Sequence, residues 1–154
     1  MRPRLQKPSS LAVMQYLLFR SPAGSDRLGR GDILLEPATA MSRKKVNAIC
    51  RSLPGAEVSD PWGGGHDAWK VGGKMFACIG AVMPGVSVKT DSIETAQMLI
   101  DAGVGVKAPY FHRSWVNLPW GTSEDELRHR LTASYRLVRG SLSKKLQVQL
   151  APFE

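Results

Sequence analysis

The sequence has no long apolar run. Its longest wholly apolar stretch, Met75 to Met83, is nine residues, well short of the roughly 20 needed to cross a bilayer as a helix. Cysteine is scarce: Cys50 and Cys78 stand 28 apart. That excludes a disulfide-dense secreted scaffold and makes a reducing cytosol the expected compartment. No C-x-x-C or H-x-x-x-H pair occurs, and His66, His112 and His129 are widely separated. Spacing therefore preorganises no tetrahedral metal site, and neither metal nor other cofactor is expected. Internal repeats, heptads and low-complexity tracts are also missing, which removes solenoids and coiled coils.

Enzyme signatures are missing as well. Gly103-Val-Gly105-Val-Lys107-Ala108 has the letters of a dinucleotide loop, but it follows a helix and runs into Pro109, where such a loop must follow a strand and open a helix. Gly72-Gly73-Lys74 lacks the upstream glycine and the hydroxyl residue of a phosphate loop. Gly85-Val-Ser87-Val-Lys89 lacks the second glycine of a nucleophile elbow. Glu124, Asp125 and Glu126 crowd one helix start, where carboxylates complement the dipole. No reaction follows from these residues, and a non-enzymatic protein is expected.

What is present suits one domain: 154 residues, 43% of them hydrophobic. Lys and Arg number 21 against 13 acids, a net charge of +8, which favours an anionic partner and says nothing about fold. Residues 1–40 are basic and proline-punctuated around an apolar stretch from Leu11 to Phe19. They resemble a signal or transit peptide only in composition, since Gln15 interrupts the run and Arg20 ends it. They are read as a non-folding extension, with the domain spanning residues 41–154.

From Met41 the patterns are regular. Ser42 is placed to cap a helix with Val46, Ile49 and Leu53 on one face, stopped by Pro54-Gly55. Three strands follow, at Asp67–Val71, Lys74–Ala81 and Gly85–Lys89, the first two joined by the hairpin signal Gly72-Gly73. Asp91 with Glu94 predicts a second helix carrying Ile93, Ala96 and Ile100, ended by Gly103. Val104–Lys107 and His112–Leu118 read as two more strands. Ser123 with Glu126 opens a third helix along Leu127, Leu131, Tyr135 and Val138, closed by Gly140. The last fourteen residues suit a helix or a strand equally. The order α-β-β-β-α-β-β-α predicts an α+β two-layer sandwich: an antiparallel sheet of about five strands, helices on one face, the other face solvated or covered by a partner.

The cations divide by context. Arg128, Arg130, Arg136 and Arg139 follow the acidic first turn of the third helix, and its macrodipole accounts for them. Arg43, Lys44 and Lys45 occupy the positive end of the first helix, where binding an anion would offset the unfavourable field. By strand parity, Lys89, Arg113 and Trp115 share the open sheet face, a basic surface with an aromatic platform. The competing reading packs Trp115 under the C-terminal segment and leaves Arg113 at a rim.

Residues 41–150 resemble the MmcQ/YjbR family of small bacterial proteins. The segments that carry the resemblance are Leu53-Pro-Gly-Ala-Glu57, Trp69-Lys-Val-Gly-Gly-Lys-Met-Phe76, Val86-Ser-Val-Lys-Thr90, Ala108-Pro-Tyr-Phe-His-Arg-Ser-Trp-Val116 and Ala133-Ser-Tyr-Arg-Leu-Val138, in family order and spacing. Gly63-Gly-Gly-His66 departs from the pattern. The resemblance implies a fold like that of secretion chaperones and a DNA-binding role, with Lys89, Trp115, Tyr110 and Tyr135 at recurring positions. The expectation is a cytoplasmic DNA-binding protein with little base readout. Lys89, Lys107 and Arg113 would meet phosphates, Trp115 would stack, and Arg43, Lys44 and Lys45 would form an auxiliary patch. The alternative is a protein-interaction module using the open sheet face.

Overall fold

Short turns between strands generate the sheet. The computed structural model describes residues 32–153 except residue 82, with side chains from Ser42 onward. The elements are α1 (Asp32–Arg51), β1 (Ala56–Ser59), β2 (Asp67–Val71), β3 (Lys74–Ile79), β4 (Val86–Lys89), α2 (Ile93–Asp101), β5 (Val106–Lys107), β6 (Trp115–Leu118), α3 (Glu124–Gly140) and α4 (Lys144–Gln149). The six strands form one antiparallel sheet in the order β1-β2-β3-β4-β6-β5. Gly72 and Gly73 both have positive φ, 56° and 81°, as a two-residue hairpin of the primed type requires.

The register sorts the side chains into two faces. Ala77, Ile79, Val86, Val88, Val116 and Leu118 pair across β3, β4 and β6 and join Val46 of α1, Leu99 of α2 and Leu131 and Tyr135 of α3 in a single buried core. All three long helices therefore cover the same side. The opposite face carries the row Ala68, Cys78, Ser87 and Asn117, small residues that are each buried. Lys70, Met75, Lys89 and Trp115 frame that row and are partly exposed.

The α+β sandwich agrees with the sequence pattern, and several element boundaries differ from it. α1 starts at Asp32 and not behind a Ser42 cap, so its backbone crosses the expected division at residue 40; residues 1–31 lie outside those described. A sixth strand, β1, follows the Pro54-Gly55 turn. It is an edge strand with Glu57, Val58 and Ser59 exposed, so no alternation of apolar residues marked it. The cap of α2 is Ser92, whose Oγ accepts from the Thr95 amide at 3.0 Å, in place of Asp91. β5 and β6 are shorter than the expected segments because the chain turns at Phe111 and Trp115, whose amides donate to Ala108 and His112. The ambiguous C-terminus is helical over α4, capped by Ser143.

One irregularity in the sheet positions the end of β4. The register of β2 against β3 shifts between Trp69 and Lys70, leaving Phe76 as the extra residue of a bulge. Ser134 of α3, fully buried, fills the gap this leaves between β3 and β4. Its hydroxyl donates to the Phe76 carbonyl at 2.6 Å and accepts from the Lys89 amide at 2.9 Å. A side chain thus replaces a ladder hydrogen bond and ties the end of β4 to α3.

Candidate functional site

On α3 the buried stripe is Leu127, Leu131, Ser134, Tyr135 and Val138. At 3.6 residues per turn, His129, Arg130, Ala133 and Arg136 fall on an adjoining flank. The end of β4 and the turn into α2 run beside that flank, held there by Ser134. Between them lies a groove of about 490 Å³, lined on one side by Lys89, Thr90, Asp91 and Thr95 and on the other by His129, Arg130, Thr132 and Arg136.

Hydrogen bonds fix the first wall. The Thr90 amide and hydroxyl both donate to the Ser114 carbonyl, at 2.8 and 2.7 Å, and the hydroxyl also reaches the Ser92 carbonyl at 2.7 Å. On the second wall, Arg130 donates its Nε to Glu126 at 2.6 Å, and the Arg136 guanidinium lies over the Phe153 ring, 5.2 Å from its centroid. The Lys89 ammonium has no partner among the described residues. Three permanent cations and the hydroxyls of Thr95 and Thr132 line the groove, with Asp91 as its one carboxylate and Ala133 and Leu137 as its apolar part. Cationic and hydroxyl donors at that density suit a phosphate oxygen.

The glycine-rich stretch is a different kind of site. Asp60 accepts from the amides of Gly63 at 3.0 Å and Gly65 at 2.8 Å, and the Gly65 amide foremost, with those of Gly64 and His66, holds its carboxyl below the ordinary value. Buried His66 faces it at 3.4 Å and packs edge-on against Trp62. A loop wound around a carboxylate does not cradle phosphate. The thiols are inert by burial, which pushes Cys78 up to about 12 and Cys50 higher still, with the Asp67 charge adding to both.

A protein-family model described as YjbR matches residues 51–137, more than half of the chain. The chain belongs to the YjbR family. A crystal structure of the Deinococcus radiodurans protein DR2400, which carries a DUF419 domain, has the same fold, with a TM-score of 0.60 and 21% identity over 70% of this chain and 86% of that one. No curated protein matches this chain.

Within this YjbR domain the residues expected to bind nucleic acid separate. Lys89 and Trp115 are brought together as direct cross-strand partners. Trp115 is half-buried and stacks on Phe111, with centroids 4.6 Å apart and planes 22° from parallel; it does not pack under the C-terminal segment. Lys107 pairs with Val116, so its parity is that of the helix-facing row, at the far edge of the sheet. Arg113 precedes β6 and lines a second groove along α2, beside Glu94 and Asp101. Neither shares the face of Lys89.

The α1 cluster is also elsewhere. Arg43 donates its Nε to Asp67 at 2.7 Å and a terminal nitrogen to the Gly65 carbonyl. Lys44 is exposed, and Lys45 lies 3.8 Å from Glu124. Glu124 and Ala133 are nine residues apart, two and a half turns, so Lys45 meets α3 on the side away from the groove. These cations begin eleven residues into α1, so the dipole penalty expected of a helix start does not apply to them.

Sequence reasoning missed His129, Arg130 and Arg136. The dipole explained the arginines without asking which flank they occupied. The available signal was their spacing with Ala133, one side of a helix beside its apolar stripe. Tyr110 and His112 are not in the groove lining.

Proposed function

We propose that this YjbR protein is a cytoplasmic, non-enzymatic DNA-binding protein that holds the phosphate backbone in the groove between β4 and α3. The observation that carries this reading is the convergence of Lys89 with Arg130, Arg136 and the threonines of both walls. The surplus of cations over the chain supports it, because a net +8 attracts a polyanion over distances set by ionic strength. Little in the groove is shaped to read base edges, so affinity would come from phosphates and register from the walls.

The sheet face opposite the helices supports the protein-docking alternative less well. Its central row is small and buried, with Val106, 46% exposed, as the aliphatic side chain at its edge. A hydrophobic partner needs a larger continuous patch.

The test is electrophoretic mobility shift of the full chain with unlabelled competitor DNA across a salt series. The affinity should fall steeply with salt, and Lys89→Ala should flatten the logarithmic slope by about one unit. Salt-independent binding, or none at about 50 mM salt, would count against the proposal.

A further inference from the structure

We infer that the DNA held in this groove is single-stranded, with a base stacked on the Phe111–Trp115 pair while its phosphate sits against Lys89. The inference rests on the DNA-binding reading and names the form of its ligand.

Three observations lead to it. The first is position. Lys89 lines the groove and is also the direct cross-strand partner of Trp115, so Trp115 lies beside it on the sheet face turned away from the helices. The second is rigidity. The turn that carries Phe111 is closed by the Phe111 amide on Ala108 and the Trp115 amide on His112. His112 Nδ1 and the Ser114 hydroxyl are 2.8 Å apart within it. Ser114 in turn accepts both bonds from Thr90, a residue of the groove wall. The stack and the phosphate wall are thereby one construction, and binding need not order them.

The third is size. A cleft of about 490 Å³ is of the scale that takes a small ligand or a single nucleotide, and α3 closes one side of it. A groove of that size holds the backbone of one strand, free or in a duplex, so the aromatic stack beside it is what separates the two forms. In a duplex the bases are already stacked on one another, so an aromatic pair beside the phosphate site gains nothing from them. A single strand presents an unstacked base next to each phosphate, and stacking of that base on an aromatic ring is sequence-tolerant.

The experiment is fluorescence anisotropy of the full chain, at one fixed salt concentration, with a labelled twelve-residue oligothymidine and with a labelled duplex of equal length. Intrinsic tryptophan emission is followed in parallel with the unlabelled oligothymidine. The single strand should bind at least about tenfold tighter than the duplex, and its binding should quench tryptophan emission. The quench should shrink in Trp115→Phe, and Phe111→Leu should weaken the single strand about tenfold while leaving the duplex unchanged. Duplex bound as tightly as single strand, with both weakened by Lys89→Ala, would overturn this inference and leave the DNA-binding reading standing. Single-strand binding without any quench would overturn the stacking. Binding of neither probe at low salt would overturn both readings.

Discussion

Ser134 is the smallest side chain on the buried stripe of α3, and it does what its apolar neighbours cannot. Its hydroxyl satisfies a carbonyl on one strand and an amide on the next at the point where a bulge has separated them. Removing it leaves both backbone groups buried and unpaired, and such groups cost about 1–3 kcal/mol each time a partner is deleted. Ser134→Ala should therefore lower unfolding stability by at least that amount in urea titration, and it should also weaken DNA binding by loosening Lys89. A variant as stable as the parent would mean that the hydroxyl is not the link between β4 and α3. The sequence hid this residue well. A serine inside an apolar stripe reads as a tolerated gap in the core, and only the bulge opposite it gives the hydroxyl a task.

At the scale of elements, β4 depends on how it is entered. Gly85 has φ 107° and is buried, and a Cβ there would run into the Leu118 carbonyl oxygen and the Asn117 side chain of β6. Left-handed backbone costs a non-glycine residue about 1–2 kcal/mol, and overpacking against an immobile strand adds about 1–3. Gly85→Ala should thus cost about 2–5 kcal/mol by those two sums. Gly63→Ala is the matched control: φ is also positive, 67°, but nothing lies within 4 Å, so only the backbone penalty applies. Thermal melts of both variants give the comparison, and equal losses would deny the close approach of β4 and β6. The strand starting at Gly85 was legible in sequence. The intolerance of its glycine was not, because it comes from a strand more than 30 residues further along.

For the molecule as a whole, the question is where the surplus charge sits. Among the described residues, Arg43, Lys45, Arg128 and Arg130 face carboxylates, and Arg113 lies in a groove with two more. Arg51, Lys70, Lys74, Lys89, Lys107, Arg136, Arg139, Lys144 and Lys145, with Lys44, form no ion pair among the described residues; of these Lys89 and Arg136 line the groove, whereas Lys45 meets α3 at Glu124, away from it. If phosphates bind in the groove, Lys89→Ala with Arg136→Ala should flatten the salt slope by about 1.4 units on a single strand, where each neutralised phosphate contributes about 0.7, and by nearly two on a duplex, where it contributes about 0.9. Lys44→Ala with Lys45→Ala should leave that slope nearly unchanged, although it removes the same formal charge. Equal effects from the two double variants would show that binding follows net charge and not the groove.

The fold class was readable because it rests on local rules. Apolar spacing, the Ser123 cap and the Gly72-Gly73 hairpin each act within a few residues, and they suffice to order helices and strands and to place the core face of α3. α1 escaped that reading at its start because the basic, proline-punctuated composition of residues 1–40 reads as a non-folding extension, and β1 escaped because an edge strand needs no apolar alternation. The candidate site is of the other kind. Lys89 was found from sequence, but its companions were not, since Arg130 and Arg136 lie more than 40 residues away and had a sufficient local explanation. Tertiary structure alone decided that a serine hydroxyl would fasten β4 to α3. It alone put Lys107 and Arg113 on other surfaces and turned Arg43 onto Asp67. Charge is additive along a chain, but a binding site depends on which charges the packing leaves side by side.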